Sequence, residues 1–287
     1  MVFHAESDVR VLSRARLGDI SPLLTSSDRN YLVLPTCLNL VHDENDNENK
    51  VEGLKMFGQL TPLFDKEFIE GYITSELIAL SQDPSKNVRS ESIFQIAKIG
   101  THIDQEIIIA KFFPEFKRLS RDDSWEVRKS FVMNAVSLAN FLPLQLRGRD
   151  FCHLFSNMLN DKNRWVKEAC LKQLGHLLAL LNAQTMNEKL FQDYLRVTRT
   201  INRMSNASKV AICLSVAETL PKVIKAFGKT SWQSLRSLYR SLLDQDDQVR
   251  AELAKTLHIL AKNVDKKTAQ SELLNVMNSF ITSQSCK

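Results

Sequence analysis

Residues 104–141 read DQEIIIAKFFPEFKRLSRDDSWEVRKSFVMNAVSLANF. Asp104 suits a helix N-cap, and Gln105 and Glu106 fall in the first turn, where acceptors and negative charge are favoured. Ile107, Ile108, Phe112, Phe113, Phe116 and Leu119 follow at steps of three and four, the spacing of an amphipathic helix. Pro114 lies inside that helix and is expected to kink it. Ser120–Ser124 is a polar turn. A second helix opens near Trp125–Val127, carries Val127, Phe131, Ala135, Val136 and Leu138, and ends before Pro143, which cannot continue a helix interior. The stretch is a helical hairpin with one apolar face on each arm.

The centre of this hairpin recurs along the chain. The pattern is Asp, four residues, Val, then Arg or Lys. It appears as Asp83–Val88–Arg89, Asp122–Val127–Arg128, Asp161–Val166–Lys167 and Asp244–Val249–Arg250. Asp46–Val51–Glu52 is a partial copy, and Val9–Arg10 and Val210–Ala211 keep the valine frame alone. The seven valines are spaced by 42, 37, 39, 39, 44 and 39 residues. A fixed period near 40 predicts a stack of similar units, because one hairpin cannot bury its apolar face alone. The expected fold is an all-α solenoid of stacked hairpins, about seven repeats forming a right-handed superhelix over 1–287. The units fall at 1–20 (partial), 25–64, 66–101, 104–142, 144–181, 186–228, 230–263 and 266–287 (partial). Helix pairs are expected at Phe68–Leu80 with Val88–Ile99, Phe151–Leu159 with Trp165–Leu178, and Trp232–Leu243 with Val249–Leu260.

Each element of the pattern has a structural reason. The valine sits in the first turn of the second helix and points between layers. The turn Asp accepts backbone N–H groups and favours the helix start. The basic residue can reach the Asp of a neighbouring unit, which predicts a ladder of charge pairs along the turns. Three regions depart from the pattern. His42–Lys50 (HDENDNENK) is acidic and Asn-rich and is expected to form an exposed, mobile loop. The sixth unit carries Arg196, Arg199 and Arg203 on one face of a helix around Leu190–Met204, and Pro221 and Gly228 in its second helix. The chain opens on a second-type helix (Val9–Leu17) and closes on a first-type helix (Ala269–Phe280), so the expectation is a fragment of a longer array or ends covered by a partner.

Composition narrows the function classes. Apolar residues make up 44% and charged residues 25% of the chain, with 8 Gly and 7 Pro, as in a helical globular protein with short turns. The net charge of +5 is mild. The cysteines Cys37, Cys152, Cys170, Cys213 and Cys286 are scattered and odd in number, which predicts free thiols in a reducing compartment. Cys170 and Cys213 lie among helical apolar residues and are expected to be buried. The six histidines form no H-x-x-x-H pair or Cys/His cluster, and the chain has no Gly-rich phosphate loop. Neither a catalyst, a metal nor a cofactor is expected.

The spacing of Asp and Val-Arg or Val-Lys resembles the HEAT repeat, and Pro114 falls where many such repeats place a proline. Three stretches carry a closer resemblance: LSRDDSWEVRKSF (119–131), LFSNMLNDKNRWVKEACLKQLGHLL (154–178) and SWQSLRSLYRSLLDQDDQVRAELAKTLHILA (231–261). With Trp125 before Val127-Arg128, Arg164-Trp165-Val166 in the next turn, and Trp232, Leu235-Arg236 and Tyr239, they resemble the protein phosphatase 4 regulatory subunit 1 family over roughly residues 45–262. That family has a longer array and a long acidic segment between two helical blocks, whereas the segment 182–200 here is short and not acidic.

The resemblance implies a non-catalytic regulatory or scaffold subunit that grips a phosphatase catalytic subunit along the ridge of turns and positions substrates or other subunits. The contacts it implies are Trp125, Glu126, Arg128, Arg164, Trp165 and Lys167, expected in the cytoplasm and also the nucleus. Independently, Trp and Arg are the residues most enriched in binding hot spots. Trp232, at the start of a first helix, is expected to pack internally. The alternatives are a transport receptor of the karyopherin type and a nucleic-acid-associated repeat protein. The latter usually shows a stronger basic bias than a pI of 8.9.

Overall fold

A computed structural model describes residues 7–282. Fourteen helical runs follow one another with short turns, and no strand occurs among the described residues. The chain divides into two compact units, Met1–Leu142 and Pro143–Lys287. The first contains α1 (Ser7–Ile20), α2 (26–41), α3 (Asn47–Leu60), α4 (66–81), α5 (Lys86–Ile99), α6 (105–119) and α7 (Trp125–Asn140). The second contains α8 (144–158), α9 (Arg164–Leu178), α10 (188–200), α11 (Asn206–Phe227), α12 (Trp232–Leu243), α13 (Asp247–Asn263) and α14 (266–282).

In the first unit α3, α5 and α7 pack side by side as one layer of second helices. In the second unit α9, α11 and α13 do the same. Each core lies between this layer and the first helices. Phe57, Phe112, Phe116 and Phe131 are fully buried in the first unit, and Phe151, Phe155, Tyr194 and Trp232 in the second. Full burial of such a side chain contributes about 1.5–3 kcal/mol, so the apolar stripes hold the hairpins together.

The seven frame valines are not equivalent. Val88, Val127, Val166 and Val249 are fully buried. Each stands three residues after its helix cap, respectively Ser85, Ser124, Asn163 and Asp246. Val51 and Val210 stand five residues after their caps, Asp46 and Ser205, and are only half-buried. A helical residue turns about 100° per step, so a two-residue displacement rotates the side chain away from the layer interface. The partial copy at Asp46 is therefore out of register. Asp46 is the cap of α3 itself, accepting from the N–H groups of Glu48 and Asn49.

The residue equivalent to Asp83 is Asp43. Its Oδ1 accepts from Asn45 N–H, two residues on, at 2.9 Å. Asp83, Asp122 and Asp161 accept from Ser85, Ser124 and Asn163 in the same way at 2.8–2.9 Å. Residues 42–50, expected as a mobile loop, form instead an ordered turn and the first turn of α3. The Asp and Asn residues there are cap formers. The Asn49 amide donates to Asp43 Oδ2 and holds its carboxyl below the usual range, and His42 Nε2 lies 2.9 Å from Glu76.

Five of the seven first helices share a feature the sequence does not announce. A five-residue π-type turn occupies Arg29–Val33, Ile69–Ile73, Ile108–Phe112, Arg147–Phe151 and Ala269–Leu273. Pro114 follows one of these turns by two residues, and Pro35 another. Ser75, His153 and Asn275 take the equivalent place in the others. The π-type turn thus recurs in the repeat, and proline, which lacks an N–H, is tolerated just after it.

The sixth hairpin also departs from its expected form. Its first helix breaks at Arg196, between Glu188–Leu195 and Val197–Thr200. Arg196 and Arg199 are exposed but do not share one continuous helix face, and the side chain of Arg203 lies outside the described residues. Its second helix runs through Pro221 and ends at Gly228, whose φ of 85° requires glycine.

Candidate functional site

Between the arms of each hairpin, the turn presents the residues that the sequence nominates for partner contact. In the first unit, Arg89 Nε and Nη2 each lie 2.8 Å from the two oxygens of Asp122. Arg89 Nη1 caps the carbonyls of Asp83 and Pro84. One layer earlier, Lys50 Nζ reaches Asp83 at 2.7 Å. Both links are largely buried. Lys50 and Arg89 each stand four residues after their helix caps, so both occupy one structural position. Counting from Val51 puts Glu52 at that position, whereas counting from the Asp46 cap puts Lys50 there.

Trp125 is half-buried at the first position of α7. Glu126 accepts from Lys86 Nζ at 2.6 Å and from Ser124 Oγ at 2.7 Å, and these bonds pull its carboxyl down to about 2. Arg128 Nη1 donates to the carbonyls of Asp122 and Asp123 at 2.7 and 3.1 Å. Glu126 and Arg128 are therefore engaged inside the protein.

The second unit arranges its turn differently. Asn163 caps α9 by accepting from Trp165 N–H at 2.8 Å, which fixes Arg164 and Trp165 in the first helical turn. Trp165 is 42% exposed. The Arg164 guanidinium lies 4.4 Å from the centre of its ring, a cation–π stack worth about 0.5–1 kcal/mol when exposed. The pair forms a flat, cationic, solvent-facing platform. Lys167 is half-buried one turn along. The last copy has no comparable aromatic: Arg250 pairs with Asp247 of its own helix, and Asp246 caps by accepting from Gln248 N–H at 2.9 Å. Trp232, by contrast, is 1% exposed and packs on Tyr239 at 5.4 Å between ring centres.

Other chemistry is muted. Cys37, Cys152, Cys170 and Cys213 are buried, and burial pushes the Cys152 thiol up to about 12 and that of Cys213 to about 11. These thiols stay protonated near neutral pH and are poor nucleophiles. Cys286 lies outside the described residues.

No protein-family model matches this sequence. Over 223 residues it is 22% identical to serine/threonine-protein phosphatase 4 regulatory subunit 1 of Rattus norvegicus, a match covering 77% of this chain and 23% of that protein. It is 22% identical over 190 residues to the Mus musculus protein of the same name, covering 65% and 20%. The chain thus spans under a quarter of the length of these relatives. Among solved structures it is similar to Kap121p, with a TM-score of 0.70 at 13% identity over 95% of this chain and 27% of that one. A designed armadillo repeat protein matches with a TM-score of 0.50 at 18% identity, over 79% and 99%. With the repeating hairpins, these likenesses show an all-α fold of the HEAT and armadillo solenoid type.

Proposed function

We propose that this chain is a non-catalytic scaffold that holds a serine/threonine phosphatase catalytic subunit of the protein phosphatase 4 type and positions substrates or other subunits beside it. The observation that carries this reading is the Arg164–Trp165 platform. An exposed tryptophan held by a cap and stacked under an arginine combines large contact area with little conformational freedom left to lose on binding. The likeness to the rat and mouse regulatory subunits supports the choice of partner. Trp125 and Lys167 are secondary contacts, while Glu126 and Arg128 serve mainly to shape their turn. The proposed setting is the cytoplasm and the nucleus.

The test is a pull-down of recombinant protein phosphatase 4 catalytic subunit by the full chain. Retention by the native chain, with at least a tenfold loss in Trp165→Ala and Arg164→Ala, is the expected result. No retention by the native chain would discard the reading and leave a HEAT-type adaptor of another class, such as one serving nuclear transport.

A further inference from the structure

The face of the first unit formed by α1, α3, α5 and α7 contains an open groove of about 570 Å³. The carboxylates of Glu48, Glu52 and Glu91 line it, and so does Asp46, whose charge is already engaged in capping α3. Arg14, buried at 3% exposure, is the basic residue among the described lining residues. Negative charge therefore dominates. Glu52 holds Lys55 at 2.6 Å in an exposed ion pair, an interaction worth about 0–1 kcal/mol and readily exchanged for a competing cation. Glu91 accepts from the neutral Gln95 amide at 2.6 Å and makes no ion pair with a lysine or arginine among the described residues.

Three further features define what would fit. Phe94 stands on the groove wall 51% exposed, offering a ring on which an aliphatic stem or a guanidinium can lie. Asn47 and Asn87 line the groove with exposed carboxamides, each able both to donate and to accept, as a peptide unit requires. Glu52 and Glu91 each stand six residues after their helix caps, Asp46 and Ser85, on adjacent packed helices. Packed helix axes lie about 8–10 Å apart. A polyproline-like chain advances about 3.1 Å per residue and returns to the same side every third residue, at about 9 Å.

We propose that this groove binds an extended cationic peptide segment with Lys or Arg at every third position. Consecutive basic side chains pair with Glu52 and Glu91, one lies along Phe94, and the asparagine amides meet the peptide backbone. The acidic lining repels nucleic acid. The groove is independent of the phosphatase reading, since none of its lining residues is among the turn contacts proposed above.

The experiment is a fluorescence-anisotropy titration of the full chain with a fluorescein-labelled (Arg-Ala-Ala)4 peptide. Saturable binding is expected, weakening as salt rises. Glu52→Lys combined with Glu91→Lys is expected to weaken it at least tenfold, with helicity by circular dichroism unchanged. Glu52→Gln with Glu91→Gln, which adds no charge beside Lys55, is expected to cost three- to tenfold and covers the case in which the reversal disturbs folding. Trp165→Ala is expected to bind as the native chain does, whatever its effect on phosphatase retention. Unchanged affinity in the glutamine variant, equal binding of (Glu-Ala-Ala)4, or no binding by the native chain would overturn the proposal. Equal binding of a peptide with its four arginines adjacent would overturn the three-residue register.

Discussion

Arg89 holds Asp122, 33 residues away in the next hairpin, through two hydrogen bonds of 2.8 Å. The same arginine closes its own turn on Asp83 and Pro84. One side chain thus shapes a turn and ties two layers. Asp122 is almost wholly buried and also accepts from Ser124 N–H. Replacing Arg89 with Ala would leave that carboxylate desolvated beside a single donor. Removing one member of a fully buried pair costs about 3–5 kcal/mol, and the Ser124 bond moderates this to about 2–4. Arg89→Lys, which cannot make the fork, should lose about half as much. Urea unfolding measures both. A midpoint unchanged in Arg89→Ala would show that the ladder contributes nothing to stability.

Glu126 gives the acid limb a defined window. Its folded carboxyl is held near 2, against an ordinary value of 4.5, first by Lys86 and then by Ser124. Because folding lowers this value, the associated stability is present above about 4.5 and is lost as pH falls from about 4.5 towards about 2. Thermal unfolding followed by circular dichroism should show a shallower decline over that interval in Glu126→Gln than in the native chain. Identical slopes would contradict the assignment.

Two glycines should respond oppositely to the same change. A Cβ on Gly53 would meet Val41 Cγ1 at 2.6 Å and the Val41 backbone nitrogen at 2.9 Å, and that backbone cannot step aside. Gly53→Ala is therefore expected to destabilise by about 1–3 kcal/mol. A Cβ on Gly71, exposed in α4, would meet nothing within 4 Å. Gly71→Ala should stabilise by about 0.5–1 kcal/mol by restricting the unfolded chain. Calorimetry on the two variants reads the signs directly.

The buried thiols predict kinetic silence. Under native conditions at pH 8, Cys37, Cys152, Cys170 and Cys213 should resist alkylation by iodoacetamide and react together once the chain is unfolded in urea. Peptide mapping after a short pulse locates the labels. Rapid labelling of Cys170 in the native chain would contradict its burial.

The regularity of 104–141 already contains the hairpin: two amphipathic arms, a polar turn, and a repeat near 40 residues that requires stacking. These are local properties, governed by side-chain periodicity along one chain, so they can be read without coordinates. The buried Cys170 and Cys213, the packed Trp232 and the helix end at Gly228 follow from the same patterns. The register of each copy is less legible, because a helix frame is counted from its cap. Ser85 and Ser124 are ordinary-looking polar residues, and the Asp-rich run at 43–46 offers two candidate starting points.

Periodicity along the chain therefore dictates the unit and its repetition. Which charges meet is settled by the packing of the helices. Lys50 reaches Asp83, Arg89 reaches Asp122 while closing its own turn as Arg128 closes the next, and Arg164 lies over an exposed Trp165. Each outcome depends on distances between layers and on side-chain direction, and a chain periodic in one dimension leaves those quantities open until its helices pack.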